Sequence, residues 1–363
     1  MEYRPLGETG LRVSVLGLGC AQLGASKIDL AADIARRAVE LGINYFDVAS
    51  NYDDVETKLG IALEGIRERV ILSTKIHALT RDDAWRELNL SLERLRTDHV
   101  DNLHLHALER GADLDVRLGP GGAIEALQRA RDEGLTRHIG GSAHQSATLL
   151  AALERFPFEI ILIPMNIVER EPLDALIPLC QARGVGITVM KPLATGILPP
   201  QLALRWLATQ PIATAVAGTT TLAELEANVA AMEQEPGLSA EELADIEAVR
   251  RRFDPERCRI CQQCEPCPQG IPIAMTLGTD CVWDHLRNMG AEAFHAFPWG
   301  RAAMEIDLPR RTELIARIEA CDDCGYCEQH CPYHLPIRER LRAMLPGDYQ
   351  ITALWAKLLS EGR

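Results

Sequence analysis

Nine of the chain's eleven cysteines lie beyond residue 257, eight of them in two runs: Cys258-x2-Cys261-x2-Cys264-x2-Cys267-Pro268 and Cys321-x2-Cys324-x2-Cys327-x3-Cys331-Pro332. Thiolates at i, i+3 and i+6 can wrap three corners of an iron–sulfur cube. A fourth Cys followed by Pro is the pattern in which the last thiolate reaches a second cube. The spacing therefore predicts two 4Fe–4S clusters held by all eight residues. Zinc is the alternative, but structural zinc ligands usually come as two separated C-x2-C pairs. Disulfides suit oxidising compartments and small secreted domains. Here Met1 to Pro5 leads straight into a polar hairpin with no apolar signal segment. The expected location is cytoplasmic.

Up to about residue 250 the 363-residue chain reads differently. Short apolar or β-branched runs at 13–20, 44–49, 70–75, 102–106, 138–143, 160–166, 186–190 and 214–218 are closed by Gly, Pro, Asn or Ser. Such runs suit strands buried on both faces of a parallel sheet. Amphipathic helices separate them. Thr80 with Asp83 and Ser239 with Glu242 mark two helix starts. Eight strand–helix pairs predict an α/β fold, a (β/α)8 TIM barrel over 1–250. An open doubly wound sheet would want a G-x-G-x-x-G turn, and Gly17-Leu18-Gly19 lacks the third glycine. Residues 3–6 and 11–15 flank Gly7-Glu8-Thr9-Gly10, which reads as a β-hairpin capping the barrel bottom. Past Arg250 to Pro255 the strand pattern ends. Residues 251–363 are expected to form a mainly helical iron–sulfur domain, with helices near 282–289 and 311–318. A net charge of −14 argues against a nucleic-acid partner, and nothing reads as a membrane span. Cys20, Cys180 and Cys281 are read as structural thiols.

In a barrel of this kind chemistry gathers at the C-terminal ends of the strands. Asp47, Lys75 and His106 end the second, third and fourth strands, and Tyr52 follows on a loop. Each alone has a bland reading as packing or solvated surface. Together they suit proton transfer to a carbonyl oxygen, with the Lys–Asp pair lowering the acidity constant of the phenol. His77 shares strand parity with Lys75, and His104 with His106. His104 is read as core. With His144, the mouth could receive an anionic or polyhydroxylated substrate.

At these residues the chain resembles the aldo-keto reductase family. The matching stretches run from Gly42 to Tyr52, Ser73 to Lys75 and Val100 to His106. Gly140-Gly141-Ser142, Lys191-Pro192-Leu193 and Gly218 through Asn228 are similar to family segments too. The cysteine tail resembles an α-helical ferredoxin, so nearly the whole chain resembles the ferredoxin-bearing branch of the family. The resemblance implies a barrel reductase with Tyr52 as general acid, Asp47 and Lys75 tuning it, and His106 orienting the carbonyl. It implies NAD(H) or NADP(H) contacts from Ser142, Asn166, Lys191, Gly218, Thr219, Thr220, Thr221 and Asn228.

The chain departs from the family pattern at several points. Ala143 follows Ser142 where an Asn is common, Leu162 stands for a Gln, and Met190 for a ring-stacking aromatic. The loop Gly218-Thr219-Thr220-Thr221 has no basic residue to pair with a 2′-phosphate, which favours NAD over NADP. In the ferredoxin arrangement Cys258, Cys261, Cys264 and Cys331 would share one cluster, and Cys321, Cys324, Cys327 and Cys267 the other. The expectation is an oxidoreductase for a small carbonyl or alcohol, its clusters linking the barrel to a ferredoxin-like electron-transfer partner. Two alternatives stand beside it. One is an ordinary NAD(P)H-dependent reductase with structural or redox-sensing clusters. The other is an electron-transfer or scaffold protein with a non-catalytic barrel.

Overall fold

The protein is described by a computed structural model covering residues 1–109, 111–196, 198–234, 237–253, 258, 263–278 and 298–360. The chain divides into two compact units, Met1–Ile246 and Glu247–Arg363.

The first unit opens with an antiparallel hairpin, β1 (Tyr3–Pro5) and β2 (Arg12–Ser14). Eight parallel strands follow: β3 (Leu16–Gly19), β4 (Tyr45–Asp47), β5 (Ile71–Ile76), β6 (Val100–Leu108), β7 (Thr136–Ala143), β8 (Ile160–Pro164), β9 (Gly186–Met190) and β10 (Thr214–Gly218). They close into a barrel in chain order, β10 pairing with β3. Helices α1 (Ile28–Glu40), α2 (Val55–Ala62), α3 (Arg81–Leu95), α4 (Ala112–Arg117) and α5 (Ala123–Asp132) lie between the first strands. The chain continues through α6 (Ser146–Arg155), α7 (Leu176–Ala182), α8 (Pro200–Ala208), α9 (Leu222–Met232) and α10 (Ala240–Phe253).

Local chemistry accounts for these elements. α1 buries Ala31, Ile34, Ala35, Ala38 and Val39, the i, i+3, i+4 stripe of a helix lying on a sheet. α3 starts where the Thr80 hydroxyl accepts the Asp83 amide at 3.3 Å, and stops at Arg96 in the left-handed region (φ 52°). α10 begins with a reciprocal box: Ser239 N donates to Glu242 Oε2 at 2.7 Å, and Glu242 N donates to Ser239 Oγ at 3.1 Å.

The run expected as one strand over 13–20 is broken. Ser14 gives its amide to Asn44 Oδ1 and its hydroxyl to Leu16 O, both at 2.7 Å, so the ladder passes from hairpin to barrel at Val15. Leu6 and Val13 pack with Tyr45, Ile160, Leu162, Ala213 and Val216, plugging the end where the strands begin. Gly7 (φ +58°) is required there, because a Cβ would lie 2.4 Å from Gly184 O.

Every regular element described beyond α10 is a helix: Ile273–Gly278, Pro298–Glu319, Tyr326–Gln329 and Ile337–Ser360. The expected helix at 311–318 falls inside the second of these, and the one at 282–289 lies outside the described residues. The core of this unit gathers Cys258, Cys264, Cys327 and Cys331 with Ile271, Ile273, Ile318, Leu335, Ile337 and Leu341. Among the described residues no helix is long and apolar enough to cross a membrane.

Candidate active site and cysteine ring

The C-terminal ends of all eight strands open on one rim, and four polar side chains meet there. Lys75 and Asp47 are almost wholly buried, at 1% and 5% exposed. Lys75 Nζ donates to Asp47 Oδ2 and to Val48 O, each at 2.7 Å. The same ammonium stands 4.9 Å from the centre of the Tyr52 ring. The half-buried His106 meets Tyr52 edge-on, with ring centres 5.8 Å apart at 80°. The three strand-end residues and the loop residue Tyr52 are therefore brought together.

Burial raises the acidity constant of the Tyr52 phenol, and the Lys75 ammonium pulls against it. The sequence pattern predicts that the Lys–Asp pair lowers it. In the protein burial wins, which leaves Tyr52 a firmly protonated donor. Burial opposes the charge on Lys75, but Asp47 and Tyr52 outweigh it, so the amine is held above its ordinary value. His106 is pushed well below its ordinary value by burial and by Lys75, with His77, His144 and Arg117 adding to the effect. It is a neutral imidazole, able to meet a carbonyl without competing for the proton. His104 is fully buried, and a Cβ on Gly140 would lie 2.5 Å from its ring, as a core reading requires.

Two residues that the sequence reading passed over hold this rim. Glu87 on α3 accepts the amides of His77 at 3.0 Å and Ala78 at 2.8 Å and meets the Ser50 hydroxyl, tying the exit of β5 to the loop that carries Tyr52. Arg117, at the end of α4 and 2% exposed, donates to His106 O at 2.5 Å and His77 O at 3.0 Å. His77 is itself exposed and lies edge-on to His106 at 5.7 Å. The available signal was Gly119-Pro120-Gly121-Gly122. It turns the chain back so closely that a Cβ on Gly122 would lie 2.5 Å from Arg117 O.

The residues expected to touch a nicotinamide are more committed. Ser142 is 1% exposed; its hydroxyl accepts Ala107 N at 2.9 Å. Asn166 Oδ1 accepts the amides of Val168 and Glu169 at 2.9 Å, and its Nδ2 donates to Lys191 O at 3.2 Å. Lys191 adopts a left-handed backbone (φ 54°). Thr219 and Asn228 are buried, while Thr220 and Thr221 are exposed at the start of α9. There Glu224 Oε2 accepts both the amide and the hydroxyl of Thr220, each at 2.8 Å. Gly218 faces Gln22 so closely that a Cβ would lie 2.2 Å from Oε1.

Among the described residues no three His, Cys, Asp or Glu side chains converge on a single metal ion. A cubane asks for a different arrangement, with thiolates spread around a void rather than directed at one atom. Cys267, Cys321, Cys324 and Cys327 line one pocket, with Ile273 and Arg338 beside them. Three of these come from the second run and one from the first. Cys258, Cys264 and Cys331 belong to the adjoining core, and Cys261 lies outside the described residues. Burial raises the Cys327 thiol, with Glu328 and Cys267 adding to it. The donor set fits a cluster chemically: soft sulfur ligands in an apolar surround.

The aldo/keto reductase family model matches residues 15–201. The chain is 31% identical over 303 residues to L-galactose dehydrogenase of Arabidopsis thaliana, spanning 69% of this chain and 94% of that one. It is 29% identical over 212 residues to an uncharacterized oxidoreductase, YqkF, of Bacillus subtilis, spanning 54% of this chain and 67% of the relative. Among solved structures, the holo form of an aldo-keto reductase from Bacillus halodurans superimposes with a TM-score of 0.61 at 30% identity. That match covers 69% of this chain and 96% of the other.

Proposed function

The chain belongs to the aldo/keto reductase family, and from that premise we propose that it interconverts a carbonyl and an alcohol, with Tyr52 as the general acid/base. The observation that carries this is the Lys75 ammonium, 2.7 Å from Asp47 Oδ2 and 4.9 Å from the Tyr52 ring. In reduction the Tyr52 hydroxyl gives its proton to the carbonyl oxygen. In oxidation the phenolate, stabilised by Lys75, takes it from the alcohol. His106, neutral, orients the substrate oxygen.

Bound nicotinamide supplies or accepts the hydride. Gly218, Thr219, Thr220, Thr221 and Asn228 would hold its adenosine half, and Ser142, Asn166 and Lys191 would line its ring end. Glu224 at the head of α9 supports NAD over NADP. A carboxylate there can accept ribose hydroxyls and repels a phosphate. The name of the plant relative, together with the His77, His106 and His144 imidazoles around the mouth, supports a polyhydroxylated substrate.

In the same proposal residues 251–363 carry two 4Fe–4S clusters on Cys258, Cys261, Cys264, Cys267, Cys321, Cys324, Cys327 and Cys331. They link the barrel to a ferredoxin-like one-electron partner in the cytoplasm. The pocket shared by Cys267 and the second run supports the crossed wiring. A second reading has the clusters purely structural, and the placement of four cysteines in the unit's own core favours it.

The catalytic claim is tested with Tyr52→Phe, following L-galactose oxidation by NAD and 4-nitrobenzaldehyde reduction by NADH. Removing a positioned proton donor costs about 10²–10⁴-fold in rate. Turnover equal to the unaltered protein on both probes removes the catalytic reading.

A further inference from the structure

We propose that Arg117 is a positioning residue for the reaction: its guanidinium holds a strained backbone bulge that aims His106 at the substrate and fixes His77 beside it. The proposal rests on the reading of His106 as the carbonyl-orienting group.

Between Leu105 and Leu108 the register of β6 against β7 slips. Leu105 pairs with Gly141 and Leu108 with Ala143, so β6 carries one residue too many at His106–Ala107. This is a β-bulge, a device that re-aims a side chain at a barrel rim. Ala107 takes a left-handed conformation (φ 49°), which is strained for a residue with a Cβ. Such strain persists only where the surroundings enforce it, and it concentrates at functional sites.

The bulge also takes two backbone groups out of the ladder. Ala107 N is satisfied by Ser142 Oγ at 2.9 Å. His106 O is satisfied by Arg117 Nη1 at 2.5 Å. Arg117 Nη2 reaches the neighbouring strand exit and donates to His77 O at 3.0 Å. Asp113 Oδ1 lies 2.9 Å from Nε, holding the fork from behind. On its other side the His77 peptide gives its N–H to Glu87. One rigid planar cation thus spans the ends of β5 and β6. A lysine, with a single rotating ammonium, cannot hold both carbonyls in a fixed plane.

The His106 ring faces charged or titratable groups from every side: Lys75 from β5, Tyr52 from the loop before α2, His77 beyond β5, His144 beyond β7, and Arg117 from α4. Arg117 therefore adds positive potential to its mechanical role.

The test compares Arg117→Met and Arg117→Lys in the full chain. Turnover is followed with 4-nitrobenzaldehyde and NADH. The His106 ring is followed by 15N-histidine NMR, its signals assigned by their loss in His106→Gln. Arg117→Met should lose about 30–100-fold in kcat with KM within threefold, the size expected for misplacing a group by an ångström. His106 should begin to titrate at a higher pH, and the acid limb of kcat/KM should move up with it. Arg117→Lys should recover part of kcat and restore the titration towards that of the unaltered protein. If Arg117→Met fails to fold, Arg117→Lys carries the test, with an expected loss of about tenfold in kcat.

Unaltered kcat and unaltered His106 titration in either folded variant overturn the proposal. So does a kcat loss in Arg117→Met with no change in the His106 titration or the acid limb, the result of a purely structural role. A shifted His106 titration beside a fully active Tyr52→Phe would sink the catalytic reading and leave the positioning role standing.

Discussion

At the barrel mouth, Lys75 and Asp47 neutralise each other at 2.7 Å, and the carbonyls of His106 and His77 are met by Arg117. In the second unit, Cys258, Cys264, Cys327 and Cys331 occupy core positions where a domain of this size would ordinarily place Leu or Ile. The barrel supplies partners for the charges at its site from its own sequence. The cysteine unit places soft sulfur ligands in its core, and under the proposed function its stability would be tied to the clusters they hold. Under that proposal a preassembled site and a conditionally stable domain share one chain.

The largest expected effect breaks this contrast on the cysteine side. Cys327→Ala, or iron chelation under anaerobic conditions, should abolish folding of the second unit while the barrel melts at an unchanged temperature. Calorimetry should show the loss of one transition of two. A parallel fall in both transitions would remove the contrast.

Next comes the buried pair. Lys75→Met leaves Asp47 charged and buried without a partner, a cost of about 3–5 kcal/mol. The barrel transition should fall accordingly, and turnover should fall with it. The cysteine unit should be untouched.

Acid sharpens the comparison more gently. His104 is depressed by burial to about 3 from an ordinary 6.5, and His106 is depressed too, first by burial and then by Lys75. Both bind protons more readily when the barrel unfolds. Barrel stability should be full above about pH 6.5 and fall as pH drops towards 3, by up to ~1.4 kcal/mol per pH unit for each histidine. Urea melts of the barrel transition across this window check the slope; stability rising on acidification would contradict it.

The smallest effect concerns the nucleotide. Glu224→Lys replaces the carboxylate at the head of α9 with a cation. It should move the ratio of kcat/KM for NADP to that for NAD by about tenfold or more towards NADP, a change of roughly 1.4 kcal/mol. An unchanged ratio would place the adenosine end elsewhere.

Much of this was legible from the sequence because both patterns are periodic. Strand ends recur, so the sequence alone places Asp47, Lys75 and His106 on one rim. Cysteines at i, i+3 and i+6 stood out as one candidate ligand set, and members of both runs gather in the second unit's core. What escaped was non-periodic. Arg117 lies in a short helix eleven residues past His106, and only the folded bulge shows which carbonyl needs a donor. Ser142 matched a family segment and Asn166 was an expected nicotinamide contact, but no spacing rule says that a bulge and a turn already take up their polar atoms. The break at Val15 escaped for the same reason, since it depends on Asn44, thirty residues from Ser14.

The most direct test of the whole account is an anaerobic titration of the iron-replete protein with NADH and with NADPH, watching the visible cluster absorbance. The account predicts about eight irons per chain, bleaching by NADH at lower concentration than by NADPH, and loss of that bleaching after removal of the clusters. Eight irons with nucleotide bound but no bleaching would contradict electron exchange between barrel and clusters, leaving a self-contained reductase beside a structural iron–sulfur domain.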